Sequence, residues 1–161
     1  METAAPLLIY KRNDSQAIEP LWGRLLALGI AMICLAVLLT AAHLPPSPSG
    51  VATHRGLGLA ECGLLARTGI PCFSCGMTTS FSWFVRGNLL ASFYVQPMGC
   101  LLALLTCCTV WIGSYIAITG RPVYRLLGLV AGRYVLIPML TFGIMAWGWK
   151  VLIHLSGHDG W

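Results

Sequence analysis

Apolar positions along the chain fall into three long uninterrupted runs and one shorter run in which apolar and polar positions alternate. Residues 25–44 (Leu25 to Leu44) contain no charged side chain. At 1.5 Å per residue, about 20 such residues cross a hydrocarbon core of about 30 Å. Trp22 and Arg24 precede the run and suit an interfacial anchor. The small residues Thr40, Ala41 and Ala42 also fit a signal-peptide cleavage site, but the polar stretch before the run is long and the run itself has spanning length, which favours a retained helix. A second run covers 99–119, with Trp111 and Tyr115 toward one end, and Gly120-Arg121-Pro122 breaks it. The third covers 134–155, where Pro138 predicts a kink and Trp147, Trp149 and Lys150 predict anchoring at the far end.

The segment between the first two runs is different. Pro45, Pro46, Ser47, Pro48, Ser49 and Gly50 end the first helix and predict an extended linker. A short helix over 57–66 follows, then a turn at Thr68-Gly69-Ile70-Pro71 that presents Cys72 and Cys75. From Thr78 to Val95, the residues Phe81, Phe84, Val85, Leu89 and Phe93 recur at helical spacing, with Ser82, Arg86 and Ser92 between them. A spanning helix here would place Arg86 near mid-membrane at a cost of roughly 2.5–3.5 kcal/mol, whereas an interfacial or re-entrant helix avoids that cost. Gln96-Pro97 ends the segment. The predicted fold is an all-α membrane protein with about three transmembrane helices, plus an amphipathic interfacial or re-entrant helix after a cysteine-containing loop. Its organisation is a tail at 1–24, one membrane domain at 25–155 with loop and interfacial helix at 45–98, and a short tail at 156–161.

Composition supports the same solvent. Of the 161 residues, 57% are hydrophobic and 9% charged, against about a quarter charged in soluble domains. The mean hydropathy is +0.78. The net charge of +5 arises from ten basic residues scattered beside apolar runs, a distribution that argues against nucleic acid and for positive-inside anchoring. With three spans and a cytoplasmic amino terminus, Lys11, Arg12, Arg24, Arg121, Arg125 and Arg133 all lie inside, while Arg55, Arg67 and Arg86 are spread over a long outer loop. That places the cysteine-rich loop outside the cytoplasm, where disulfides persist.

Three of the seven cysteines, Cys62, Cys72 and Cys75, fall within residues 62–76, two of them as C-x-x-C. Three chemistries fit. In a redox pair, Cys72 would be the nucleophile and Cys75 the resolving thiol, the first made acidic by the start of the following helix; no thioredoxin-like βαβ pattern surrounds them. In a structural zinc site, Cys62, Cys72 and Cys75 would supply three ligands and His54 or another histidine the fourth. In a purely structural role, a Cys72–Cys75 disulfide, a bridge from Cys62 to one of them, or reduced buried thiols would pin the turn. Cys34, Cys100, Cys107 and Cys108 lie in the spanning runs, where cysteine acts as a small hydrophobe. Gly128 and Gly132 are spaced for close helix approach. The central parts of the spans carry no Asp, Glu, Arg or His, so the usual groups of a proton relay or coupled transporter are missing. Phosphate-binding, dinucleotide, G-x-S-x-G and H-E-x-x-H motifs are also missing.

The order and spacing of Cys62, Thr68, Gly69, Cys72, Cys75, Gly76 and Thr78 resemble a bacterial family of small integral-membrane proteins of unknown function, whose members carry a cysteine ten residues before a C-P-x-C-G-x-T-R box. Arg86-Gly87-Asn88 and Pro97 are similar to later positions of that pattern. Phe73 and Thr79 replace its proline and arginine, so no role of that arginine carries over. The resemblance covers roughly residues 57–120 and implies a bacterial inner-membrane location without implying an activity. Taken together, these features predict a non-enzymatic accessory or assembly subunit of a larger membrane complex, with the bilayer and other membrane subunits as partners. Its structural motif comprises Thr68, Gly69, Gly76, Thr78 and Arg86. The alternatives are a thiol–disulfide oxidoreductase using Cys72 and Cys75, and a protein holding a structural zinc.

Overall fold

The structure, a computed structural model, describes residues 20–60, 62–121 and 133–161. Most of the expected amino-terminal tail, Arg125 and the Gly128/Gly132 pair lie outside the described residues. Among those described, every regular element is helical: α1 (Leu21–His43), a 3-10 turn (Thr53–Leu57), α2 (Gly63–Thr68), α3 (Met77–Val85), α4 (Leu89–Val95), α5 (Pro97–Thr119) and α6 (Arg133–Leu155). Three of these helices, Leu21–His43, Pro97–Thr119 and Val135–Leu155, are long and apolar enough to cross a membrane.

Helices α1 and α5 run antiparallel in close contact, because the residues between them are small. A methyl on Gly113 would stand 2.9 Å from the Ala27 carbonyl and 3.0 Å from the Ala31 side chain. Such close approach is the main source of helix association in lipid, where burying apolar surface against a neighbour gains little over lipid contact. At one end of this pair, Arg24 donates to the carbonyls of Ala117 (2.9 Å) and Ile118 (3.0 Å), the otherwise unpaired last turn of α5.

The expected single helix over 78–95 is two helices. Gly87 takes φ +79°, and the Asn88 side chain accepts the Ala91 N–H at 3.0 Å, so the chain ends α3 and caps a new helix, α4. The apolar stripe read from the sequence is not the packing face: Leu89 and Phe93 are exposed, and Phe81, Phe84 and Val85 are half-buried. Phe93 is 55% exposed, whereas Thr79, Ser80, Ser82 and Ser92 are fully buried. Ser80 Oγ donates to Ser92 O (2.8 Å), Ser92 Oγ donates to Ser80 O (2.8 Å), and a methyl on Gly99 would sit 2.8 Å from Ser80 Cβ. The α3–α4 hairpin thus packs on α5 through small hydroxyl residues, while Leu89, Leu90 and Phe93 are left exposed.

Arg86 sits at the end of α1 and avoids the predicted penalty. Its guanidinium donates to Ser82 O (2.7 Å), Ala42 O (3.1 Å) and Ala41 O (3.4 Å), while Ser82 Oγ donates to Ala41 O (3.0 Å). A cation at a helix C-terminus complements the macrodipole. Arg86→Leu is expected to lower stability by about 2 kcal/mol, since charge-assisted bonds to carbonyls at the end of α1 are lost. Detergent-driven unfolding followed by circular dichroism checks this; an unchanged midpoint would contradict the capping role.

The carboxyl end of α1, the amino end of α5 and the carboxyl end of α6 gather on one side. There the linker and tail form a cap. The linker is a turn and not an extended strand, with Gly50 N–H donating to Ser47 O at 3.0 Å. Trp147 and Trp149, expected as lipid anchors, donate their indole N–H groups to Pro71 O (3.0 Å) and Tyr94 O (2.8 Å) and fasten the cap to α6.

Candidate three-cysteine site

Each residue of the cysteine motif has a local task. Cys62 stands at the start of α2, and its carbonyl accepts the Ala66 N–H at 2.9 Å. Thr68 Oγ1 donates to Leu64 O (2.8 Å) and accepts the Ile70 N–H (3.2 Å), while Gly69 at φ +69° ends the helix. The short helix therefore covers 63–68, not 57–66. The chain then turns back through Pro71. Cys75 N–H donates to Cys72 O at 3.0 Å, and Gly76 at φ +85° starts α3. Phe73, where the similar box has proline, lays its ring against Gly143 of α6, and a methyl there would meet the ring at 3.1 Å.

This folding brings the Sγ atoms of Cys62, Cys72 and Cys75 within 4.8 Å of one another. All seven cysteines are free thiols, and the Cys72 and Cys75 sulfurs stand 3.1 Å apart in a thiol–thiol contact. Cys72 also meets Ser74 Oγ at 3.3 Å. The three sulfurs are electrostatically unequal. The Leu65 amide, with help from the Cys72 thiol, pulls Cys62 down from 9.0 to about 6. Burial pushes Cys75 up to about 12, and its sulfur neighbours add to the rise. The thiolate-favouring position is thus Cys62, at the mouth of α2, where the sequence pointed to Cys72.

As a metal site the donor set is three-quarters complete. Three thiolates suit zinc, but a closed structural site takes four protein ligands. His54 lies outside the 4.8 Å group, and its Nε2 pairs with Ala60 O at 3.1 Å. Among the described residues no other His, Cys, Asp or Glu joins the group.

The sulfurs lie on the wall of a cleft of about 730 Å³. Its opposite wall is the second half of α1, from Ile33 to Leu44, and His54, Ser74 and Thr78 also face it. Arg86 is absent from this lining, in keeping with its capping role.

Behind the box lies a cluster that the sequence reading missed. Lys150, read as an interfacial anchor, is fully buried. Its Nζ donates to Asp159 Oδ1 at 2.5 Å and Gly50 O at 3.1 Å, and His154 Nδ1 pairs with Asp159 Oδ2. Methyl groups on Gly76 would meet Gly50 O at 2.9 Å and Lys150 Cε at 3.0 Å. The carboxyl tail is thereby locked against the linker and the residue following Cys75. The available signal was the i, i+4 spacing of Lys150 and His154, with one carboxylate shortly after them.

Residues 62–111 match the model of a family described as a protein of unknown function, DUF2752. The match begins at Cys62 and takes in the three sulfurs, the α3–α4 hairpin and most of α5, but not the α1 wall of the cleft. No curated protein and no solved structure matches the chain. The chain is therefore a membrane protein by its helices, similar over its cysteine region to a family of unknown function.

Proposed function

We propose that this chain is a membrane-embedded thiol–disulfide exchange protein whose reactive centre is Cys62, Cys72 and Cys75. The observation that carries the proposal is the convergence of three free sulfurs, one thiolate-stabilised and one buried as a thiol. In the oxidised form a Cys72–Cys75 bond is attacked by the Cys62 thiolate at the Cys72 sulfur. A Cys62–Cys72 bond forms, and Cys75 leaves and takes up a proton. A client thiolate then attacks that bond at Cys62; the low pKa of Cys62 makes it an efficient entry point in either direction, because an acidic thiol is both ionised and a good leaving group. A second client thiol closes the client disulfide, and two electrons pass to the protein.

The accessory-subunit reading rested on the lack of buried catalytic or transport groups beside a cysteine cap, and the approach of the three sulfurs is what favours exchange chemistry over it. We place the cluster on the outer face of a bacterial inner membrane, on the strength of the arginine distribution and the need for an oxidising compartment. A structural zinc is the second reading, favoured by the 4.8 Å grouping of three thiols.

One experiment separates them: intact mass after alkylation in native membranes, with and without reductant and with and without chelator. Two box cysteines that label only after reduction are the expected result. Protection that yields to chelator alone would transfer the site to zinc. Free labelling of all three in every arm would sink both.

A further inference from the structure

The cleft beside the sulfurs has a shape that bears on the redox partner. Ile33 and Leu44 mark its extent along α1, a separation of about 16 Å at 1.5 Å per residue. Leu44 ends the span at the cap, and Ile33 lies near its middle, 67% exposed on the face that the bilayer solvates. The cleft therefore opens to hydrocarbon at one end and reaches the cysteines at the other. Its walls are mostly apolar (Ile33, Val37, Leu44 and Phe81), and polar groups gather at the sulfur end. Ser74 Oγ is 3.3 Å from Cys72 Sγ, and Thr78 follows Cys75 by three residues. An apolar slot with a few convergent polar groups is the usual form of a small-molecule site, and 730 Å³ is within the usual range of roughly 300–1,000 Å³.

Resting on the exchange function above, we propose that this cleft binds a membrane quinone, whose ring reaches the cysteine cluster while its isoprenoid tail lies along α1. Regenerating the Cys72–Cys75 disulfide requires an acceptor of two electrons and two protons. A phospholipid acyl chain fits the walls but accepts no electrons; a water-soluble disulfide accepts electrons but has no use for a path through hydrocarbon. A quinone satisfies both ends. In the step itself the two S–H bonds break and one S–S bond forms. The two protons and two electrons go to the quinone, whose carbonyl oxygens become the hydroxyls of the hydroquinone. Ser74 and Thr78 hydroxyls are placed to bond a carbonyl oxygen at that end.

The test uses the full chain in phosphatidylcholine nanodiscs, reduced and then freed of reductant. A benzoquinone carrying one isoprenoid unit is added, and quinone absorbance and box disulfide are followed together. In a parallel arm oxidised glutathione, which arrives from water, replaces the quinone. One quinone consumed per disulfide formed is expected. Val37→Trp, which fills the cleft, should lower the ratio of quinone-driven to glutathione-driven oxidation at least tenfold. Leu39→Trp, on the same helix but outside the cleft lining, should leave that ratio unchanged. Ile33→Trp is a second probe, expected to slow the prenylated quinone more than a tail-less one. Glutathione-driven oxidation with no quinone reaction, or with a quinone reaction indifferent to Val37→Trp and Ile33→Trp, would overturn the quinone site and leave the exchange function standing. Absence of disulfide in both arms would overturn the exchange function and the quinone site with it.

Discussion

Lys150→Met is expected to destabilise the protein by about 3–5 kcal/mol, the range for removing one partner of a buried ion pair. The wild-type ammonium has no solvent contact, and its charge is balanced by Asp159. Without it, Asp159 keeps the His154 ring as its side-chain partner, has no counter-cation in place of the ammonium, and remains largely buried. Asp159→Asn leaves the converse fault, a buried ammonium without its counter-charge. The double variant Lys150→Met/Asp159→Leu removes both charges and should recover most of the loss, because a pair replaced by apolar groups costs far less than a pair broken. The carboxyl tail is the element released. A methyl on Gly50 would overlap the Asp159 carbonyl, and one on Gly160 would overlap Pro48 O, so tail and linker fit without spare room. Loosening them also uncovers the backbone next to Cys75, so Lys150→Met should make Cys75 reachable by alkylating reagents. Unfolding midpoints in detergent, read with Cys75 labelling, check both parts. A loss under about 1 kcal/mol with Cys75 still protected would mean the pair contributes little to holding the cap.

The spans were legible because their signal is one-dimensional. Continuous apolar length between Pro and Gly breaks located α1, α5 and α6 to within a few residues. The cysteine cluster was legible as a set but not as an order of reactivity. That order depends on which sulfur receives the Leu65 amide and which is buried, and spacing carries neither fact. The α3–α4 hairpin was misread for a physical reason. Helical periodicity locates an apolar stripe, but in a bilayer an apolar side chain is not driven inward, so Leu89 and Phe93 stay exposed and the small hydroxyl residues between the stripe's members form the packing face. The Gly87-Asn88 break was not read from the sequence, although glycine before an asparagine is turn chemistry and Gly87 takes a positive φ there. Lys150 was misassigned because an amine near a span end reads as a snorkelling anchor, and only the fold shows that the tail carries Asp159 back to meet it.

At pH 7 the thiolate fraction of Cys62 should be about nine-tenths and that of Cys75 about 10⁻⁵, given values of about 6 and about 12. Intrinsic nucleophilicity runs the other way. With a Brønsted slope of about 0.4–0.5, six units of basicity return a factor of about 10³ to Cys75. The difference left is on the order of 100-fold in favour of Cys62, before the burial of Cys75 widens it. Iodoacetamide labelling of the reduced chain, resolved by site, should therefore show Cys62 rising through a midpoint near 6 and level above pH 7, with Cys75 still rising beyond pH 9. Cys72→Ala removes one of the groups that hold Cys62 low and should move its midpoint back toward 9.0, part of the way only, because the Leu65 amide acts first. Stability follows the same shifts with opposite signs. Cys62, lowered, contributes stability present above the unfolded value of 9.0 and lost as pH falls through about 6. Cys75, raised, contributes stability present below 9.0 and lost as pH rises toward about 12. The thiol-linked part of stability thus peaks near pH 9, and replacing Cys75 with Ala should remove its alkaline limb while shrinking the acid limb only in part, because Cys75 is a lesser support of the Cys62 thiolate than the Leu65 amide and Cys72. Equal labelling midpoints near 9 for the two cysteines would show that the fold does not divide them into thiolate and thiol, and the exchange mechanism would lose its entry point.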